Sequence, residues 1–336
     1  MKLNQFLVQT EIGIKKRIGL LFKEDIIDLF SAYVLYLTQE TKETKPYEIS
    51  NVRISNNMNE FIKGGELSLE AAKQVEKYIS NISDLSELIG PNKEKIVFKK
   101  DEIRFAQPLD PIYFVDFLTF EKHFNQGLHM LADYGTWKKT PVGYKKNPGT
   151  VIGAFDDIMI PERITKWLDF EIEFAIIIGN SKKKQKNISK EDAYENVFGY
   201  TILNDFSARD MEIPEILLRL GPFKSKDFDT AGPMGPYILT IDEIKGHPEL
   251  EMELRHNGII EQKGNTKDMI WKVDDLIEYT SRDQTLHPCT VLCSGNPGRF
   301  EEKDTIKKSK RLKPGDIIET EIEKIGLMKN KIIKKN

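Results

Sequence analysis

Cysteine is nearly absent from this chain: Cys289 and Cys293 are its only two in 336 residues. Two thiols cannot build a disulfide framework. Four residues apart in a strand-like run, they face the same way but span too far for an easy bridge. They read as reduced core thiols of a cytosolic protein. Long apolar runs are missing too. No segment approaches 18 continuous apolar residues and the N-terminus has no apolar h-region, so neither a membrane span nor a secretory leader is expected. A basic excess is also lacking. Fifty Lys and Arg stand against 53 Asp and Glu, a net charge of −3, which argues against a general nucleic-acid or membrane-surface binder. The clusters Lys182–Lys184 and Lys307-Lys308 read as solvated loops. Internal repeats and low-complexity segments are absent.

What is present suits a globular chain: 39% hydrophobic and 31% charged residues, enough for a sizeable core and for solubility. The length fits one large domain or two smaller ones. The central stretch is Trp167–Gly179, which reads as one strand with two unlike faces. Phe170, Ile172, Phe174 and Ile176 share one face, and Asp169, Glu171, Glu173 and Ala175 the other. Glu171 and Glu173 then lie roughly 6–7 Å apart. Two such acids either line the wet side of a solvent-facing strand or share a bound cation that removes their repulsion.

Along the chain, Arg17–Phe22 and Ile26–Phe30 make a hairpin across Lys23–Asp25. Ser31 is placed to cap a helix through Leu37, and Ser68 one with Leu69, Ala72, Val75 and Ile79 on one face. The polar stretch 91–102 suggests a boundary between a small N-terminal α/β domain, 1–104, and a larger strand-rich domain, 105–336. Phe114–Phe124 reads as entering a helix, and 135–150 as a Gly- and Pro-rich loop. The acid strand, a helix opening at Ser189, a strand at Phe198–Leu203, strands in 235–262, a helix over 273–283 and strands at 290–295 and 316–325 follow. Asn204-Asp205 sits where a strand meets a helix start; taken alone, Asp205 or Ser207 there is a helix cap. Gly221–Lys226, taken alone, is a solvated turn.

Together these segments resemble a known family. Glu171-x-Glu173, Asn204-Asp-Phe-Ser-Ala-Arg-Asp210 and Gly221-Pro-Phe-Lys-Ser-Lys-Asp-Phe228 are similar, in that order, to the fumarylacetoacetate hydrolase family. Val291–Gly295 and Leu312–Gly326 continue the resemblance, which covers roughly residues 105–330 and little of the first hundred. It implies an α+β fold with a strand-rich mixed β roll. It also implies a divalent cation on Glu171, Glu173 and Asp205, with Asp116 as a fourth ligand by its spacing of seven positions from His123. Oxygen-only donors suit Mg²⁺, with Mn²⁺ or Ca²⁺ as alternatives, and not Zn²⁺. By the same resemblance, Lys226 stands near the cation and the substrate oxygen, Tyr144 and Arg209 contact substrate, and Ser294 stands where one branch has a carboxylate-binding Thr. The family usually forms homodimers, so a homodimer acting on a small 2-oxo acid is expected.

His123 lies among Phe117, Phe120 and Phe124. On its own it reads as a core histidine; the resemblance makes it the general base, with Glu121 or a carboxylate near Glu301 to orient it. The reaction implied is metal-dependent hydrolysis of a carbon–carbon bond in a 1,3-dicarbonyl acid, such as an acylpyruvate or a diketo-deoxy sugar acid. His123 activates water, and the bond breaks to an enolate that the cation and Lys226 stabilise. A lyase (dehydratase or decarboxylase), an isomerase or hydratase, and a binding module without turnover are the alternatives. Two residues depart from the family pattern. Glu212 replaces a frequent Gln, and an acid there disfavours an anionic substrate group unless it is paired. Leu118 replaces a Tyr usual in fumarylacetoacetase. Both favour a smaller or sugar-derived acid.

Overall fold

The computed structural model describes residues 1–10, 13–126, 133–181, 184–219, 221–300 and 311–334. It is a mixed α+β fold dominated by two sheets. The larger runs, in order of pairing, through Asp25–Asp28, Gly13–Phe22, Lys2–Thr10, Gly232–Thr240, Val197–Asn204, Ile172–Ile178, Thr290–Cys293, Tyr113–Phe117 and Gly143–Lys145. The smaller pairs Ile259–Asn265, Glu251–His256, Ile317–Ile322, Gly326–Ile333 and Ile158–Met159. Among the described residues no helix is long and apolar enough to cross a membrane.

The acid strand is buried on both faces, so its acids do not line a wet surface. Ile172, Phe174 and Ile176 pack with Met252, Leu254 and Ile318 of the smaller sheet. Ala175 and Ile177 pack on the other side, in a core shared with Leu3, Leu20, Phe61, Ala72 and Val75 of the N-terminal segment. Period-two alternation thus separates two cores. Residues 1–28 extend the large sheet through Lys2–Leu3, which pair with Ile238–Leu239.

Three local expectations are corrected. The stretch 167–179 is not one strand. Leu168–Asp169 pairs with Ser207–Ala208 in its own small sheet, and Ile172–Ile178 belongs to the large one. The break falls at Glu171, whose N–H donates to Asn204 Oδ1 at 3.0 Å and whose carbonyl accepts from Asp205 N at 2.8 Å. Phe114–Phe117 is not helical: Tyr113–Phe117 is a strand, and the helix is only Glu121–Gln126. Parallel pairing with Thr290–Cys293 and antiparallel pairing with Gly143–Lys145 claim the backbone there, which also makes part of the expected 135–150 loop a strand. The first helix, Leu29–Tyr36, is capped by Asp28 rather than Ser31; the Asp28 side chain accepts from Ser31 N, leaving Ser31 inside the first turn.

Candidate active site

Sheet register assembles the acids. Ile172 lies opposite Asn204, which sets Glu173 beside the strand end that runs into Asp205. Cys293 pairs with Ala175 on one side and with Asp116 on the other, bringing Asp116 to the same end of the sheet. Asp116 in turn lies opposite Tyr144. The next turn crosses closely: Gly295, at φ +72°, passes the Phe117 carbonyl where a Cβ would lie 2.3 Å from the oxygen, so a side chain is excluded. The result is a cavity of about 400 Å³ whose lining includes Asp116, His123, Tyr144, Glu173, Arg209 and Lys226.

One carboxylate oxygen each from Asp116, Glu173 and Asp205 falls within 4.8 Å of the others. All three residues are buried, and Asp116 Oδ1 and Glu173 Oε2 have no hydrogen-bond partner among the described residues. Unpaired buried carboxylate oxygens are costly. Burial and the neighbouring Asp205 push the Asp116 carboxyl up. Burial, Asp116 and Asp205 push Glu173 well above the usual range. Three hard oxygen donors that cannot all ionise unaided fit a divalent cation.

Glu171, also expected among the cation ligands, lines the same cavity and is paired with two cationic side chains. Its Oε1 accepts from Arg209 Nη2 at 2.6 Å and its Oε2 from Lys226 Nζ at 2.5 Å. Burial raises its pKa, but Arg209 and Lys226 outweigh that and hold it well below the usual range. Asp205 is held down despite burial by Lys146 and Lys226. Lys226 donates to both Glu171 and Asp205, and these carboxylates keep its ammonium charged against the opposing effect of burial. Its loop is pinned from the helix Arg209–Leu217, where Glu215 accepts from Phe223 N, Lys224 N and the Ser225 hydroxyl. Tyr144 donates to Asp205 Oδ2 at 2.8 Å; burial and the nearby acids keep its phenol protonated.

Arg209 lines the cavity, yet each donor nitrogen faces an acid. Nε meets Asp169 at 2.9 Å, Nη1 Glu212 at 2.7 Å and Nη2 Glu171 at 2.6 Å. Glu212, the unusual acid, is therefore paired through Oε2, while among the described residues its Oε1 makes no hydrogen bond of that kind. Ser294 does not line the cavity: its hydroxyl accepts from Phe174 N at 3.0 Å and donates to Gly295 O at 2.7 Å.

His123, on the helix Glu121–Gln126, faces the cavity, and its Nε2 lies 3.2 Å from Asn296 Nδ2. The Asn296 amide is oriented by its neighbours. Its Oδ1 accepts from Gly298 N at 2.9 Å and from Gln262 Nε2 at 3.3 Å, and Gln262 Oε1 in turn accepts from Ile172 N at 2.9 Å. The NH₂ side therefore points at the imidazole and donates to Nε2. The Glu121 carboxylate accepts from the Tyr134 hydroxyl. Glu301 lies outside the described residues.

Sequence reasoning missed Lys146, Asp169, Asn296 and Arg299. Lys146 Nζ lies 2.5 Å from Asp205 Oδ1, and Arg299 pairs with Asp169. Strand alternation was the available signal for Lys146, with Tyr144, and for Asp169, grouped with Glu171 and Glu173; Asn296 and Arg299 left none.

Comparison with known proteins agrees with this architecture. Residues 113–333 match the family described as fumarylacetoacetate (FAA) hydrolase C-terminal. The chain is 32% identical over 267 residues to oxaloacetate tautomerase YisK of Bacillus subtilis, covering 79% of this chain and 85% of that protein. It is 32% identical over 284 residues to the mitochondrial oxaloacetate tautomerase fahd2 of Xenopus laevis, covering 82% and 78%. Among solved structures, a fumarylacetoacetate hydrolase from Exiguobacterium antarcticum superposes with a TM-score of 0.71 at 26% identity, covering 99% of this chain and all of the other. On the family match and the extent of these relatives, the chain belongs to the fumarylacetoacetate hydrolase family.

Proposed function

We propose that this protein is a divalent-cation-dependent enzyme that interconverts the keto and enol forms of a 2-oxo acid. The observation that carries the reading is the buried triad Asp116, Glu173 and Asp205, set beside a charged Lys226 in a cavity of small-ligand size. The similarity to oxaloacetate tautomerases along most of their length supports it. Those three carboxylates would hold the cation, Mg²⁺ by the preference of hard oxygen donors; bound there, it supplies a Lewis acid that acidifies the hydrogens next to the 2-oxo group.

The chain's own groups supply the rest. His123 accepts a proton from C3 on Nε2, exchanging Asn296 for substrate as its partner. The C3–H electron pair becomes the C2–C3 double bond, and the carbonyl pair moves onto oxygen. Lys226 stays charged between Glu171 and Asp205 and stabilises that oxygen by a charge-assisted hydrogen bond. Transfer of that proton from the His123 imidazolium to the oxygen gives the enol and restores the free imidazole, so the net change is one proton moved from carbon to oxygen.

A second reading, carbon–carbon bond hydrolysis, has the same groups act on a 1,3-dicarbonyl acid, with His123 activating water. The likeness to the Exiguobacterium hydrolase supports it. Enol loss from 2-oxo acids, followed by absorbance with Mg²⁺ present, separates the two when run beside pyruvate release from acylpyruvates. Accelerated enol loss without pyruvate release supports the tautomerase. Pyruvate release at comparable rate supports the hydrolase, and neither sinks both.

A further inference from the structure

We infer that Glu212 makes this site selective for a 2-oxo acid with a single carboxylate and an uncharged hydroxyl-bearing end, and against 2-oxo dicarboxylates. The inference rests on the 2-oxo acid reading above and specifies its substrate class. Glu212 sits on the helix Arg209–Leu217, one turn beyond Arg209 and on the same face. Its side chain is only 6% exposed, and it lines the cavity. Oε2 accepts from Arg209 Nη1 at 2.7 Å. Oε1 is left 3.9 Å from Lys226 Nζ, beyond hydrogen-bond reach. A buried carboxylate therefore presents one oxygen to the ligand with acceptor capacity to spare.

The cations that could offset a second ligand carboxylate are already committed. Arg209 is enclosed by Asp169, Glu171 and Glu212. Lys226 is held by Glu171 and Asp205. Among the described residues, the cavity-lining cation with no ion pair is Arg219, which is solvent-exposed beyond the helix end. A ligand carboxylate directed at Glu212 would bring a second negative charge against a buried carboxylate, an unfavourable contact. A hydroxyl there donates to Oε1 instead, completing that oxygen's hydrogen bonding.

A pair of acids of equal length tests this: oxaloacetate, and 4-hydroxy-2-oxobutanoate, in which a hydroxymethyl group replaces the distal carboxylate. Affinities are measured by calorimetry with Mg²⁺ present, and exchange of the C3 hydrogens in D₂O by NMR against an enzyme-free blank. The native enzyme should bind the hydroxy acid at least about tenfold more tightly. Glu212→Gln keeps the shape and an oxygen for Arg209, and should shift the preference toward oxaloacetate by at least about tenfold. Glu212→Asp, which keeps the charge, should retain the native preference and controls for disturbed packing. A native preference for oxaloacetate, or a Glu212→Gln variant whose two affinities change by like factors, overturns the inference, as does a preference governed by Arg219→Ala instead. Exchange of both acids with the wrong preference overturns the selectivity alone. Exchange of neither overturns the reaction as well.

Discussion

Lys146 Nζ lies 2.5 Å from Asp205 Oδ1, and neither side chain reaches solvent. Lys146 thus backs the triad member Asp205 and, with Lys226, keeps it ionised inside the protein. Lys146→Met removes one cation and leaves its acid buried. Breaking a buried pair in this way costs about 3–5 kcal/mol, so the metal-free variant should unfold at lower denaturant than the native chain by that amount. Added Mg²⁺ should recover part of the loss, because it supplies positive charge to the same carboxylate. A variant as stable as the native chain without metal would contradict this role.

The protons on the triad should compete with the cation. Burial raises the Asp116 carboxyl to about 7 and Glu173 well above its usual range. In the metal-free folded chain these groups hold protons that the unfolded chain has lost, so they lower its stability as pH rises from about 4 through about 7. Cation binding must release those protons. Mg²⁺ affinity, measured by calorimetry, should therefore be at least about tenfold higher at pH 8 than at pH 6. Equal affinities would show that the triad is not the binding site.

His123→Ala should lower kcat by roughly 10²–10⁴-fold and leave Mg²⁺ affinity intact, since His123 is not among the clustered carboxylates. A core role alone would cost stability and spare kcat. Asn296→Leu should lower kcat less and change the ring tautomer, read from the ¹⁵N shifts of His123. An unchanged tautomer would remove Asn296 from this role.

Far from the cavity, Asp28 carries a separate pH dependence. Its buried carboxyl is raised to about 6, chiefly by desolvation, with the Ser31 cap and Arg17 opposing. The folded state thus holds its proton longer than the unfolded state, and stability falls as pH rises between about 4 and about 6. Asparagine caps helices as well as aspartate does. Asp28→Asn should therefore be more stable than the native chain at pH 7, by up to about 3 kcal/mol, with the gain vanishing near pH 4. Denaturant titrations at the two pH values check it.

Much of this architecture was legible in the sequence where one period dominates. The alternation at Ile172–Ile178 marks a strand, and the spacing of Ala72, Val75 and Ile79 a helix, because local periodicity and final burial agree. Phe114–Phe117 was misread because a short apolar run suits either state, and its partners at Thr290–Cys293 and Gly143–Lys145 lie far away in sequence. The acids entered through the family resemblance, since their three stretches share no local pattern. Alternation grouped Glu171 with Glu173 but could not show that the strand breaks at Glu171, where its N–H donates to the Asn204 side chain. Lys146 fell inside the stretch 135–150, whose glycines and prolines read as a loop. Asp169 and Arg299 meet across 130 residues, a contact that only packing reveals.

On the proposed function, the buried acids hold a cation that lets this chain enolise a 2-oxo acid. The direct measurement is C3 hydrogen exchange of 4-hydroxy-2-oxobutanoate in D₂O, followed by NMR with the native chain, after chelation, and after Mg²⁺ is restored. The Glu173→Gln variant is run alongside. Exchange above the blank is expected, abolished by chelation, restored by Mg²⁺ and missing in Glu173→Gln. Exchange that survives chelation, or persists unchanged in Glu173→Gln, would contradict the proposal.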